Sequence, residues 1–291
     1  MKRQQILLVS GAMALLIILF FFGRTIPNQK SAAPEGAVTE HSSGDGHDHT
    51  PALDIQAVLA GNMQRLTPER QTYLTSLQSA VVRGDVKDQQ IHVYHQLASF
   101  WKDSASSIPL YIYYTAEASK LENSKKSLTF AARLFLENVR GEEDPGTKTW
   151  MAGEGKKLFE KLLELDPSND SAKVALGSCY IFGAPAEEPQ QVMQGIQKIL
   201  EVARRDSTNM YAQLMLGIGG IVSGQLDKAT ERLEKVVRYE PENLEAILML
   251  ADAYERRGDK VNAIKWYTAG KKYLANPQIL EEIERRIKSL Q

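Results

Sequence analysis

The sequence predicts an all-α fold: antiparallel helix pairs stacked into a right-handed α-solenoid, preceded by one transmembrane helix. Three observations lead there. Two blocks of 34 residues, Met210–Asn243 and Leu244–Pro277, run end to end with the same order of small and large residues, so that Leu216, Gly217, Gly224 and Ala229 fall opposite Leu250, Ala251, Gly258 and Ala263. A period of that length is one helix–turn–helix unit, which cannot bury its apolar face alone and must stack on a copy of itself. From Pro68 onward, no alternation of apolar and polar residues is long enough to compete with the helical pattern. Finally, the twenty residues between Arg3 and Arg24 carry no charge. As a helix they would reach about 30 Å, the thickness of a bilayer's hydrocarbon core.

Residues 1–24 read as a cytoplasmic tip and a retained anchor spanning residues 4–23. The apolar run ends in Phe20-Phe21-Phe22-Gly23-Arg24 without a small-residue cleavage site at the right distance, and no cysteine follows it to carry a lipid. Lys2 and Arg3 precede the run, which places the amino terminus in the cytoplasm by the positive-inside bias. The expected location is a bacterial inner membrane, with the carboxy-terminal domain in the periplasm. Residues 25–53 hold Pro27, Ser31, Pro34, Gly36, Gly44, Gly46 and Pro51 and almost no large apolar side chains, the composition of a flexible linker. Its histidines, His41, His47 and His49, read as part of a polar tether rather than a metal site, because a mobile tract pre-organises no ligand geometry.

A divergent helical region is expected over 54–123, with helices at about 68–83 and 86–101 turning at Gly84-Asp85 and another at 107–122. The array proper spans 124–291, with repeats at about 124–169, 170–209, 210–243 and 244–277. The 170–209 unit shows Leu176, Gly177 and Tyr180 on its first helix and Gly195, Ile199 and Val202 on its second; six surplus residues fall between the two, at 183–189. The 124–169 unit carries a polar insertion at Gly141–Thr147. After Pro277, Ile279, Leu280, Ile283, Ile287 and Leu290 form one stripe, as a helix capping the last repeat requires.

The pattern Leu250, Ala251, Tyr254, Gly258, Ala263, Tyr267, with Leu216, Gly217, Gly224, Ala229 and Pro241 in the block before, resembles the tetratricopeptide repeat. Gly220 departs from it where Tyr is usual, and Gly270 where Ala is usual. The resemblance implies a protein-binding concave face lined by the first helix of each repeat, at offsets 2, 5, 9 and 12. Those offsets nominate Ser171, Val174, Ser178 and Ile181, then Tyr211, Leu214, Ile218 and Ile221, then Glu245, Leu248, Asp252 and Glu255. The expected groove is apolar in its middle and acidic at its carboxy-terminal end, suited to a peptide or helix with hydrophobic anchors and a basic flank. Tetratricopeptide domains that grip chaperone carboxylate tails use Lys, Arg and Asn at such positions, and none of these twelve is one of those types. In architecture the chain also resembles single-span repeat proteins associated with the secretion translocon and periplasmic chaperones, and repeat-bearing assembly factors of cytochrome c maturation.

Chemistry is harder to find. A formal net charge of −1 offers no basic field for nucleic acid. The single cysteine, Cys179, excludes an internal disulfide framework and reads as a buried, inert packing residue. His92 and His95 share a helical face but lack a third ligand, and Gly217-Ile218-Gly219-Gly220 lies inside a helix without the lysine of a phosphate loop. Trp101, Trp150 and Trp266 read as packing residues or interface anchors. No catalytic, cofactor-binding or metal-binding residue is nominated. The partners expected are other proteins or peptides, with the membrane reached through residues 4–23. The chain reads as an anchored scaffold, chaperone-like or an assembly factor. A structural subunit of a larger envelope complex is the alternative, and an enzyme using region 54–123 is less favoured.

Overall fold

The computed structural model describes residues 53–83, 86–185 and 188–291. The transmembrane helix expected at residues 4–23, the histidine-containing linker up to residue 52 and the Gly84-Asp85 turn lie outside the described residues. Among the described residues there are thirteen α-helices and no strand, and no helix is long and apolar enough to cross a membrane. The helices are α1 (Ile55–Met63), α2 (Pro68–Arg83), α3 (Lys87–Ser99), α4 (Ile108–Glu122), α5 (Lys125–Val139), α6 (Pro145–Leu165), α7 (Asp170–Phe182), α8 (Pro189–Arg205), α9 (Met210–Val222), α10 (Leu226–Tyr239), α11 (Leu244–Arg256), α12 (Lys260–Lys271) and α13 (Pro277–Leu290). From α5 to α12 they pack as consecutive pairs, and α13 lies against α12.

The junctions between pairs are written in the sequence. Asn169, Asn209 and Asn243 precede α7, α9 and α11, and each side-chain oxygen accepts the amide of the residue three along: Ala172 at 2.9 Å, Ala212 at 2.9 Å and Ala246 at 3.0 Å. The same asparagines donate their own N–H back to the carbonyls of Asp166, Asp206 and Glu240. Each exit turn thus satisfies amides that a helix start leaves unpaired. Inside the last two pairs, Gly224 (φ +73°) and Gly258 (φ +79°) hold the left-handed conformation that glycine adopts without steric cost.

The small residues of the repeat pattern are where helices touch. A Cβ added to Gly195 would lie 2.4 Å from the carbonyl oxygen of Gly177, and one added to Gly217 would lie 2.6 Å from Leu233. Around these contacts the apolar side chains form three clusters. Leu74, Leu97, Trp101 and Leu110 anchor the amino-terminal one; Phe135, Met151 and Phe159 the middle one; Ile199, Leu233, Leu250 and Tyr267 the carboxy-terminal one.

Two features of the amino-terminal region are absent from the sequence reading. Helix α1 is capped by Asp54, which accepts the Gln56 amide at 2.9 Å, and its Ile55, Val58, Leu59 and Met63 pack on the first cluster. Beyond α3 the chain continues as one π-helical turn, Phe100–Ser104, that brings Phe100 and Trp101 together into that cluster, edge to face at 5.2 Å. Ser106 at φ +51° then lets the Ser107 amide close on the Trp101 carbonyl at 2.9 Å.

Burial pushes three phenols up to about 12: Tyr113, with nearby Glu117 adding to the effect; Tyr254, which donates to Glu234; and Tyr267, which donates to Glu255 at 2.7 Å. An unfolded tyrosine titrates near pH 10. Because the folded values lie higher, this contribution is complete below about pH 10 and drains away as pH rises toward 12. Helicity followed by circular dichroism is therefore expected to fall between these limits, and less steeply in a Tyr254→Phe/Tyr267→Phe variant. An identical alkaline midpoint in both proteins would show that the phenols carry none of it.

Candidate protein-binding face

The structure corrects the expected groove at its centre. Val174, Ser178, Ile181, Leu214, Ile218 and Ile221 are all buried, and the five apolar ones belong to the carboxy-terminal core. Ser178 is satisfied within its own helix, donating to the Val174 carbonyl at 2.9 Å. The physical reason is the glycine content of α9. A Cβ on Gly219 would sit 2.9 Å from Ile181 and 3.0 Å from Ile196, so α7 and α8 approach α9 closely enough to close the floor. Leu248 is half-buried and packs toward α12, its Cδ2 lying 2.9 Å from where a Gly270 Cβ would be.

The acidic end is also corrected, because each of its carboxylates is paired within the chain. Asp252 lies 2.9 Å from Arg256 and 3.8 Å from Arg286; Glu255 accepts from Tyr267 and lies 3.5 Å from Arg286. Arg286 comes from the capping helix, which folds over this end. Glu245 pairs with Arg140, the residue that follows α5.

What remains open is a cavity of about 610 Å³ between α5 and the first turns of α7, α9 and α11. Ser171, Tyr211 and Glu245, each the second residue of its helix, contribute from one side. Thr129, Arg133, Leu136 and Glu137 contribute from α5, and Arg140 from the turn just past it. Tyr211 is 37% exposed, an aromatic ring presented to solvent at the cavity wall. The Arg140 guanidinium stands 5.0 Å over the Phe182 ring; burial lowers its pKa, and the nearby Tyr211 acts in the opposite direction.

A second cavity, of about 430 Å³, lies one helix pair earlier, between α3, α4 and the first turns of α5. Lys126, Ser127 and Phe130 line it from the second, third and sixth positions of α5, the positions from which Ser171, Ala172 and Ala175 of α7 line the larger one. His95 Nε2 and Glu122 Oε1 share a hydrogen bond at 2.6 Å on its wall, and Lys102 lies 5.6 Å over the Tyr111 ring. The α5 residues escaped the sequence reading, although a signal for them existed. Offsets 5, 9 and 12 counted from Lys125, where α5 begins, give Thr129, Arg133 and Leu136.

The other sequence candidates sit as follows. Cys179 is buried, and that burial pushes its thiol up to about 12, which leaves no thiolate at neutral pH. The Gly217–Gly220 run lies buried inside α9. Among the described residues no three His, Cys, Asp or Glu side chains are placed to hold a metal ion. Trp150 packs on Phe135 with ring centroids 5.4 Å apart, and Trp101 is fully buried.

Residues 222–280 match the family model described as Tetratricopeptide repeat. Among solved structures, the chain is similar to TTC0263, a thermophilic TPR protein of Thermus thermophilus, with a TM-score of 0.50 and 15% identity over 70% of this chain and 98% of that one. That likeness shows the fold. Two more are the MamA fragment from Desulfovibrio magneticus RS-1 (TM-score 0.43, 19% identity, 65% and 96% covered) and YrrB, described as a TPR protein with an unusual peptide-binding site (0.42, 14%, 72% and 97%). No curated protein matches the chain.

Proposed function

We propose that this chain is a tetratricopeptide-repeat protein and acts as a protein-binding adaptor that takes a segment of its partner on the concave side of the array, a reading supported by the family model matched at residues 222–280. One observation carries the reading: the open cavity of about 610 Å³ that joins four successive helix pairs and presents Tyr211 beside Arg133 and Arg140. Tyrosine and arginine are the side chains that most often anchor protein interfaces, because each pairs a large contact area with hydrogen-bonding capacity. The buried centre of the array serves only to hold these side chains in place. We further propose that residues 4–23 fix the adaptor in a bacterial inner membrane with the array in the periplasm, a reading supported by the uncharged run between Arg3 and Arg24 and by Lys2 and Arg3 before it. There it would serve as a chaperone-like holder or an assembly factor.

Two measurements test this. A photo-crosslinking residue in place of Tyr211 should capture segments of other proteins in cells, while the same residue in place of Val261, 78% exposed on the second helix of the last pair, should capture few. Equal capture from both positions would remove the concave face as the binding surface. A phosphatase active only outside the cytoplasm, fused after residue 53, should be active, and a silent fusion would rule out the periplasmic placement.

A further inference from the structure

Helix α5 shows the concave side one continuous stripe. Lys126, Phe130, Arg133 and Glu137, spaced by four and three residues, are all exposed, as is Arg140 just past the helix, while Leu128, Ala131, Phe135 and Val139 on the opposite face are buried. The first two line the smaller cavity and the last three the larger, so α5 is the ridge shared by both. The carboxylates on this face have partners within the chain: Glu122 shares a hydrogen bond with His95, Glu137 lies 3.8 Å from Arg133, and Glu245 pairs with Arg140. Lys102 and Lys126, both at the smaller cavity, form no ion pair among the described residues. With two lysines against the single Glu122 carboxylate, the balance of charge at the smaller cavity is positive, and it stands beside a phenylalanine that is 54% exposed.

We propose that the partner is an acidic peptide segment, its carboxylates set against Lys102 and Lys126, an aromatic or large aliphatic side chain on Phe130, and its chain continuing along α5 toward Arg133. This deepens the concave-face reading above and rests on it. Charge complementarity selects the acidic class, the reverse of the basic flank that the sequence offsets implied. A small anion would satisfy the two lysines but leave the Phe130 ring in water, whereas a segment carrying both chemistries covers the whole stripe. From Lys126 to Glu137 the helix rises about 16 Å, the span of roughly five residues of extended chain.

The test uses the full chain in detergent micelles and two fluorescent peptides, Glu-Glu-Phe-Glu-Glu-Leu and Lys-Lys-Phe-Lys-Lys-Leu, read by anisotropy. The acidic peptide should bind at least tenfold more tightly than the basic one. Its affinity should fall about tenfold or more in Lys126→Glu/Arg133→Glu and about fivefold in Phe130→Ala, with helical content unchanged because these side chains are exposed. Preference for the basic peptide, no detectable binding of the acidic one, or binding that the double reversal leaves intact would overturn the proposal. Displacement by millimolar phosphate with no effect of Phe130→Ala would overturn it too, in favour of a simple anion site. The broader reading is separable: if the basic peptide binds and Tyr211→Ala weakens it, the concave face survives as a binding site for another class of segment. If no concave substitution alters either peptide, both readings fail.

Discussion

Gly195→Val is expected to destabilise the fold by about 3 kcal/mol or more, the upper range for forcing atoms into a packed core. The first added carbon would stand 2.4 Å from the Gly177 carbonyl oxygen and 2.9 Å from Tyr180 and Ile181, and the nearest of these atoms is backbone, which cannot rotate away. Helices α7 and α8 must separate, and the stack on either side loses its neighbour. For a domain of this size such a loss lowers the melting temperature by roughly 6–12 °C, measurable by circular dichroism. Gly153→Ala is the matched control. It lies within α6 with nothing inside 4 Å of the added carbon, and is expected to be neutral or slightly stabilising. Equal shifts in the two variants would show that the close approach is not what makes Gly195 necessary.

Trp101 gives the second large effect, and it has two parts. The side chain is fully buried in the amino-terminal cluster, yet its indole Nε1 has no hydrogen-bond partner among the described residues. Trp101→Ala should cost about 3–5 kcal/mol through the cavity it leaves. Trp101→Phe gives up less volume and also removes a buried unpaired donor, a group that costs about 1–3 kcal/mol. The phenylalanine variant is therefore expected within about 1 kcal/mol of the parent, in denaturant melts of both proteins. A loss as large as that of the alanine variant would mean that the indole N–H is satisfied in solution.

The parts of the fold legible in the sequence are those where one physical need recurs at a fixed interval. Gly224 and Gly258 must turn the chain left-handed, Asn209 and Asn243 must cap, and Gly217 must let Leu233 approach; each of these needs writes itself into the sequence every 34 residues. Helix α1 and the π turn at Phe100–Ser104 occur once, so no period announces them. The candidate site was half legible for a related reason. The offsets identify the face on which Leu214 and Ile218 lie, but not how near the next helix comes, and it is the missing side chain at Gly219 that closes the floor over them. Likewise Asp252 and Glu255 read as free charges until the fold brings Arg286 from the capping helix against them.

In a stack of repeats each unit ordinarily senses only its two neighbours, so that the ends behave as strangers. The pairing of Arg140 with Glu245, 105 residues apart, breaks that rule by joining the α5–α6 pair to the α11–α12 pair across the cavity they share. As energy the contact is small, about 1 kcal/mol or less at a half-exposed site. As geometry it is a tie between two pairs that are not neighbours in the stack. A partner segment that draws either charge away would undo that tie, so the cavity is closed on one side by a contact that a ligand can replace.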